Sequence, residues 1–188
     1  MKVFELLVES FSPRMTSVLH RTIEELELLG VDYSVGGAVA LSNYTSNPRM
    51  TKDIDVFVDA DQKHTIDRAF IDAGFELVYA SGFQTKLILD GVEVDVLYAG
   101  NDAERWASKH HVPGNILGVT LNVVDPETLL WLYVLSEKDQ NFVDAVELIK
   151  STKVGVSTVE KNLDSIHLEK LKRIVARSKE ALPKRTRN

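Results

Sequence analysis

The pattern of apolar residues near the start of the chain is that of an amphipathic helix. Ser12 and Pro13 suit the N-cap and the first helical position, and Gly30 suits a helix end. Between them, apolar residues recur at helical spacing, at Val18, Leu19, Ile23, Leu26 and Leu29. This spacing predicts a helix over residues 13–30 with one face against a core.

Shorter apolar runs follow this helix and predict strands and helices in alternation. The expected order is strand 31–35, helix 38–44, loop 46–52, strand 53–59, helix 61–73 and strand 75–80. Within strand 53–59 the alternation is strict. Because successive side chains of a strand point to opposite faces, Asp53 and Asp55 share one face, and Ile54 and Val56 share the other.

The strongest local signal in the chain is a β-hairpin. The runs TKLIL (85–89) and VEVDVLYA (92–99) flank Asp90 and Gly91. Asp-Gly is favoured in two-residue hairpin turns because both positions require a positive φ. We therefore expect two paired strands joined by a turn at residues 90–91.

The last third of the chain has helical patterns. The expected elements are a short helix over 101–109, a loop with a short strand over 110–124, helices over 127–136 and 138–151, and two more over 156–182. The order of elements predicts an α/β or α+β core, residues 1–124, joined to a C-terminal helical region, residues 125–188.

Composition narrows the classes of protein that fit. The 188 residues are 44% hydrophobic and 27% charged, which is typical of one globular domain with at most a small appendage. The absence of cysteine excludes disulfides, thiolate metal sites and a cysteine nucleophile. No apolar run approaches the roughly 18 residues of a membrane helix, and the first residues do not resemble a signal peptide. We expect a cytoplasmic protein that does not contact a membrane.

Charge is unevenly distributed along the chain. The formal net charge is -6, yet residues 170–188 contain eight Lys or Arg residues and one acidic residue, Glu180. A basic tail on an acidic body could meet a nucleic-acid backbone. The alternative is a solvated terminal helix beside the acidic body, and the charge pattern leaves both open.

Three aspartates form a candidate metal site. Asp53 and Asp55 share one face of their strand, and Asp95 joins them if the second hairpin strand pairs alongside. Two carboxylates about 6 Å apart repel each other by about 2.8 kcal/mol at an effective dielectric of 20. Such a cluster must extend into water, take up protons or hold a cation. Its oxygen ligands favour Mg²⁺ or Mn²⁺ over zinc.

The residues before the first two aspartates form a candidate phosphate site. Gly36 and Gly37 precede a predicted helix, and a turn without Cβ atoms lets backbone N–H groups approach an anion. Arg49 and Lys52 could neutralise a triphosphate, and Thr51 could orient the loop or contact a phosphate.

In this order, the motifs VGGAVAL, RMTKDIDVFV and VEVDVLYA resemble the polymerase-β-like nucleotidyltransferase superfamily. The run also resembles the R-x-T-x-D-[IL]-D signature of small bacterial and archaeal members of the MNT type. Some of these are AbiEii-like toxins of toxin–antitoxin systems. The signature residues here are Arg49, Thr51, Asp53, Ile54 and Asp55. The resemblance implies a nucleotidyltransferase-like mixed β-sheet flanked by helices.

The resemblance also implies a role for each matched residue. Gly36 and Gly37 would bind nucleotide phosphates, and Asp53 and Asp55 would hold two divalent ions. Asp95 would complete the metal site and help to activate the acceptor. These three aspartates would be the catalytic residues. The implied reaction moves a nucleoside monophosphate from a nucleoside triphosphate to a hydroxyl of an RNA 3′ end, a protein or a small molecule.

One position departs from the family pattern. The basic residue expected on the first C-terminal helix falls at Tyr133, and Lys138 is a candidate substitute. This departure motivates a second hypothesis, an inactive relative that binds nucleotide, RNA or a protein partner such as an antitoxin. A third hypothesis is a structural or interaction domain whose aspartates form a hydrated surface.

Overall fold

Strands and helices alternate through the first two thirds of the protein, and helices form the remainder. The computed structural model describes residues 13–180. The strands are β1 (Tyr33–Val35), β2 (Asp53–Val58), β3 (Glu76–Ala80), β4 (Gln84–Leu89), β5 (Val92–Tyr98), β6 (His111–Ile116) and β7 (Val119–Val124). The helices are α1 (Pro13–Leu29), α2 (Gly37–Ser42), α3 (Lys63–Asp72), α4 (Asp102–Ala107), α5 (Pro126–Leu135), α6 (Asp139–Ser151), α7 (Val156–Glu160) and α8 (Ser165–Ser178). A 3₁₀ turn, Ala60–Gln62, precedes α3.

Some expectations concern residues 1–12 and 181–188, which lie outside the described part of the chain. They are the N-cap at Ser12, the basic residues beyond position 180 and the end of helical order at Pro183. Among the helices within residues 13–180, none combines the length and apolar content that crossing a membrane requires.

A seven-stranded mixed sheet lies at the centre of the protein. Its strand order is β3-β4-β5-β2-β1-β7-β6. β2 is parallel to β5 and β1 is parallel to β7, whereas the other neighbouring pairs are antiparallel. The expected fold class, a mixed sheet flanked by helices in an α+β arrangement, is confirmed.

The hairpin predicted at Asp90 and Gly91 is present. Both residues have positive φ angles, 52° and 77°, as a two-residue hairpin turn requires. β4 and β5 pair antiparallel from Leu89↔Val92 to Gln84↔Leu97. This register leaves the other edge of β5 free to pair with β2, and that pairing builds the candidate site.

The expectation for residues 110–124 is wrong in part. In place of a loop with one short strand, the segment forms a second hairpin of β6 and β7, with register Ile116↔Val119. Its turn is Leu117-Gly118, with φ angles of 54° and 84°. Pro113 lies in β6, and it is tolerated there because β6 is the last strand of the sheet.

Helix α1 covers one face of the sheet. Its buried residues include Val18, Leu19 and Leu26, and the helix packs against β5 and β7. Ile54, Val56 and Val58 of β2 are fully buried, as are Val94 and Val96 of β5. Because side chains alternate along a strand, the aspartates of β2 and β5 point to the opposite face of the sheet.

Helix α5 joins the sheet to the last helices. Asp125 caps it by accepting a hydrogen bond from the Thr128 N–H at 3.1 Å, and Pro126 takes the first helical turn. α5 packs against α2, α4, α6, α7 and α8. At its C-terminal end, the Lys170 ammonium group of α8 donates hydrogen bonds to the carbonyls of Tyr133 and Ser136. The division at residues 124–125 stays a prediction.

Candidate nucleotidyl-transfer site

The register between β2 and β5 brings three carboxylates together. Asp53 lies opposite Glu93, and Asp55 lies opposite Asp95. Each of the residues Asp53, Asp55 and Asp95 offers an oxygen, and these oxygens lie within 4.8 Å of one another. The face on which they lie is the one that strand alternation predicts.

The electrostatic strain of this cluster falls mainly on Asp55. Burial, followed by the nearby charges of Asp53 and Asp95, raises the pKa of the Asp55 carboxyl to about 7. The positive charges of Lys138 and Arg49 act in the opposite direction. A cation bound between the carboxylates would favour the ionised form of Asp55, because a nearby positive charge lowers the pKa of a carboxyl group.

Asp95 supplies an independent sign that the cluster fits a cation. The residue is buried, and its Oδ1 atom accepts no hydrogen bond from the described residues. The Lys86 ammonium group lies 3.5 Å from this oxygen, and it pairs more closely with Glu93, at 2.6 Å. A buried carboxylate oxygen without a hydrogen bond is costly. The all-oxygen ligand set matches Mg²⁺ or Mn²⁺.

The two glycines bring a turn into contact with the aspartate strand. The Gly36 N–H donates to the Asp55 carbonyl at 2.9 Å. A Cβ at position 36 would meet Phe57 Cε2 at 2.4 Å, and a Cβ at position 37 would meet Asp55 Oδ2 at 1.9 Å. Gly37 also has a φ of +56°, which favours glycine. The turn therefore approaches the carboxylates as closely as it does only because both residues lack side chains.

The loop before β2 is tied to both the cluster and the C-terminal helices. The Thr51 hydroxyl donates to Asp53 Oδ1 at 2.5 Å. The Arg49 guanidinium donates to the carboxylate of Asp144 on α6, with Nη2 2.8 Å from Oδ2. Lys52 is exposed at the rim of the cleft. Arg49 thus lies on the wall of the cleft in a position fixed by Asp144, a partner that spacing along the sequence does not reveal.

Tyr133 contacts the glycine turn directly. It is buried, and its hydroxyl donates to the Gly37 carbonyl at 2.8 Å. Burial, followed by the charges of Asp144 and Asp55, raises the pKa of this hydroxyl well above its usual value, so it remains a donor. Lys138, at the start of α6, lines the same cleft. The departure at position 133 therefore places a structural hydrogen bond where the family pattern has a positive charge.

These residues line a cleft of about 650 Å³, which is within the usual range of small-molecule sites. Gly37, Arg49, Thr51, Lys52, Asp53, Asp55 and Asp95 all lie on its wall, while Gly36 supports the turn from behind. Sequence reasoning missed a further group on this wall: Phe57, Gln84, Leu97, Asn101, Glu104 and Leu132. Phe57 and Leu97 could have been found, since each lies two residues beyond an aspartate on the same strand face.

Known proteins resemble this chain in three-dimensional structure, and the sequence comparisons found no match. No protein-family model matches the chain, and no curated protein matches its sequence. The antibiotic-resistance factor ANT(2'')-Ia is 13% identical with a TM-score of 0.59, over 88% of this chain and 93% of that one. A nucleotidyltransferase-like protein from Paracoccidioides brasiliensis is 21% identical with a TM-score of 0.56, over 85% and 84%. The lincosamide adenylyltransferase LnuA is 16% identical with a TM-score of 0.52, over 72% and 97%.

At these low sequence identities, the structural similarity establishes the fold alone. The activity has to be argued from the residues of the site. The similar structures are nucleotidyltransferases or are described as resembling them, and the matches extend over most of each chain. The protein therefore has the polymerase-β-like nucleotidyltransferase fold.

Proposed function

We propose that this protein is a metal-dependent nucleotidyltransferase that moves a nucleoside monophosphate from a nucleoside triphosphate to a hydroxyl acceptor. The observation that carries the proposal is the β2–β5 register, which sets Asp55 beside Asp95 while Gly37 contacts Asp55. This arrangement puts a cluster of carboxylates and a glycine turn side by side in one cleft. Those are the two features that a metal-bound triphosphate needs.

Each part of the site has a role in the proposed reaction. Asp53, Asp55 and Asp95 would hold Mg²⁺ or Mn²⁺, and Thr51 orients the Asp53 carboxylate through its 2.5 Å hydrogen bond. Divalent ions bound there would neutralise the triphosphate and make the acceptor hydroxyl easier to deprotonate. The Gly36–Gly37 turn approaches the phosphates with its backbone.

The chemical step is an in-line displacement at the α-phosphorus. The acceptor oxygen forms a bond to this phosphorus, the bond to the bridging oxygen breaks, and pyrophosphate leaves. The acceptor proton passes to the carboxylate of Asp95. Arg49, Lys52 and Lys138, the cations that line the cleft, offset the negative charge of the phosphates. The side chains and backbone of the protein position the reactants and offset charge in the transition state, and bound metal ions would add further stabilisation of that charge.

The second candidate is a protein of this fold that binds nucleotide, RNA or a protein partner without transfer. Tyr133 favours it, because its buried hydroxyl binds Gly37 and brings no positive charge to the triphosphate. Under the first proposal Lys138 supplies that charge. A role as a toxin with an antitoxin partner is a further proposal, supported by the R-x-T-x-D-[IL]-D resemblance alone.

Thermal unfolding with each nucleoside triphosphate, with and without Mg²⁺ or Mn²⁺, tests the first proposal. We expect a metal-dependent rise in Tm with at least one nucleotide, because a ligand that binds only the native state stabilises it. The rise should be lost in Asp53→Asn/Asp55→Asn and kept in Asp61→Asn/Asp72→Asn, whose carboxylates are exposed outside the cleft.

Transfer is then measured with α-labelled nucleotide. If the labelled nucleoside monophosphate becomes attached to an acceptor, the result supports the enzyme. If nucleotide binds and no acceptor becomes labelled, the result supports the second candidate. The absence of any metal-dependent rise in Tm would contradict the transferase and leave, from the second candidate, only the binding of RNA or a protein partner.

A further inference from the structure

The cleft changes character along its length. On β2 and β5, two residues beyond the paired aspartates, Phe57 lies opposite Leu97. Gln84 of β4 lies beside Leu97 on its other side. On this face of the sheet, the carboxylates are therefore followed, two residues further along the strands, by apolar side chains and an amide.

Two helices complete this end of the cleft. Asn101 and Glu104 belong to the start of α4, which follows β5, and Leu132 belongs to α5. We call Phe57, Gln84, Leu97, Asn101, Glu104 and Leu132 the acceptor end. The loop that contains Arg49 precedes β2, so it lies at the opposite end of the strands from α4.

Polar groups at the acceptor end are left available for a ligand. One oxygen of Glu104 accepts the Gly100 N–H at 2.6 Å, and its second oxygen makes no hydrogen bond to the described residues. The Gln84 side-chain amide lines the cleft and carries both donors and an acceptor. The Asn101 side-chain oxygen caps α4, which leaves its NH₂ group to donate.

Charge at the acceptor end is negative. The cations that line the cleft are Arg49 and Lys52, on the loop before β2, and Lys138, at the start of α6. The described residues at the acceptor end include Glu104 and no Lys or Arg. The basic helix α8 brings Lys170 and Arg173 to the side of Lys138 instead. A polyanion at the acceptor end would place its phosphates against Glu104 and the aspartates, which disfavours an RNA acceptor.

We propose that the acceptor is a small, amine-bearing molecule with a free hydroxyl, bound at the acceptor end. This inference rests on the proposed nucleotidyl transfer. The free oxygen of Glu104 pairs with an ammonium group, and Gln84 and Asn101 hydrogen-bond to hydroxyls. Phe57 and Leu97 pack against the carbon skeleton. The acceptor hydroxyl then lies beside Asp95, which takes its proton as the new O–P bond forms and pyrophosphate leaves.

The test compares acceptors in matched pairs, with the nucleotide and metal that raise Tm. Tobramycin is paired with maltotriose, which has as many rings and no amine, and glucosamine is paired with glucose. A short oligoribonucleotide with a free 3′-hydroxyl is the fifth acceptor. We expect labelled product from the amine of at least one pair, little from its neutral counterpart and none from the oligoribonucleotide.

Variants assign the preference to Glu104. Glu104→Gln keeps an oxygen for the Gly100 N–H and removes the charge, so the KM of the amine acceptor should rise about 10-fold while kcat changes little. The preference over the neutral counterpart should shrink by the same factor. Glu127→Gln is the matched control, because Glu127 also accepts a glycine N–H, from Gly155 at 2.7 Å, outside the cleft. It should leave both values unchanged.

The outcomes separate this inference from the function on which it rests. Labelling of the oligoribonucleotide alone, equal use of amine and neutral acceptors, or an unchanged KM in Glu104→Gln would overturn the acceptor proposal and leave nucleotidyl transfer standing. No acceptor labelled in either pair, despite metal-dependent nucleotide binding, would also overturn it. If the wild-type protein bound neither nucleotide nor metal, the proposed function itself would be overturned.

Discussion

At the scale of single residues, the contact between Gly37 and Asp55 predicts a specific mutational effect. In Gly37→Ala the new methyl group would lie 1.9 Å from Asp55 Oδ2 and would displace that carboxylate. The left-handed backbone also costs an L-residue about 1–2 kcal/mol. We expect a stability loss of that size together with loss of the Mg²⁺-dependent rise in Tm.

Gly30→Ala is the matched control for this prediction. Gly30 has a similar φ, +64°, and a Cβ there would meet nothing within 4 Å. It should lose similar stability in urea denaturation and keep the full response to Mg²⁺. If Gly37→Ala kept that response as well, the close approach of the turn would have no part in metal binding.

A second residue-scale prediction concerns Tyr133. In Tyr133→Phe the Gly37 carbonyl loses its 2.8 Å hydrogen bond in a buried position, which should cost about 1 kcal/mol. Because Gly37 belongs to the turn that we propose contacts the phosphates, nucleotide affinity should fall too. Tyr44→Phe removes a comparable hydrogen bond, to the Val124 carbonyl at 2.6 Å, and should lower stability alone. Equal affinities in the two variants would mean that Tyr133 only supports the fold.

The raised pKa of Asp55 predicts how stability depends on pH without metal. A folded-state pKa of about 7, above the unfolded value, means that the native state holds the proton more tightly. This contribution to stability is complete below about pH 4 and is lost as pH rises through about 7. Urea denaturation should therefore show falling stability from pH 5 to 7.5, with a flatter profile in Asp55→Asn. Saturating Mg²⁺ should remove the fall in stability near pH 7. If Asp55→Asn showed the same pH profile as the wild type, other groups would be the cause of the fall.

The sequence alone identifies most of the candidate residues but few of their partners. Strand alternation puts Asp53 and Asp55 on one face, and the hairpin signal puts Asp95 within reach. The bonds from Tyr133 to Gly37 and from Arg49 to Asp144 join residues more than ninety positions apart. Periodicity carries no information about such pairs, because they depend on how whole helices pack against the sheet.

At the scale of elements, the Arg49–Asp144 ion pair ties the loop before β2 to α6. Asp144 is almost fully buried and also accepts a hydrogen bond from the Gln140 amide at 2.9 Å. Asp144→Asn should cost about 2 kcal/mol, since hydrogen bonds to charged groups contribute about 1.5–3 kcal/mol. A double-mutant cycle with Arg49→Met, measured by urea denaturation, isolates the pair.

The exposed pair Arg68–Asp72 is the control for that cycle. Its side chains are 75% and 70% exposed, so its coupling energy should be under about 0.5 kcal/mol. A coupling energy as small as this for Arg49 and Asp144 would show that α6 is held against the loop by apolar contacts instead.

Elements with clear end signals could be predicted, and the missed hairpin shows where such signals fail. α5 begins at Asp125-Pro126, which combine a capping side chain with a favoured first residue. In β6 the residues Pro113 and Gly114 are poor strand formers, and the turn Leu117-Gly118 lacks the favoured first residue. Pairing with β7 overrides these local preferences, and only the sheet as a whole supplies that pairing.

At the scale of the whole molecule, one apolar core joins the sheet to the C-terminal helices. Val123 of β7, Leu129 and Tyr133 of α5, and Leu148 and Leu171 of the last helices all belong to the same buried cluster. Residues on both sides of the predicted division at 124–125 would therefore lose their packing together. We expect the two regions to unfold as one cooperative unit.

The two tryptophans of the chain can test this expectation. Trp106 lies on α4, before residue 124, and Trp131 lies on α5, after it. In Trp131→Phe and Trp106→Phe, fluorescence reports one region at a time, and each urea transition can be compared with circular dichroism of the same variant. Coincident midpoints and equal m-values are expected, because each probe then follows the same exposure of surface.

A separate, earlier transition at Trp131 would mean that the C-terminal helices unfold while the sheet remains native. In that case Tyr133 and Lys138 would leave the cleft, and Asp144 would leave Arg49, while Asp53, Asp55 and Asp95 stay in place. Nucleotide binding should then be lost at the first transition.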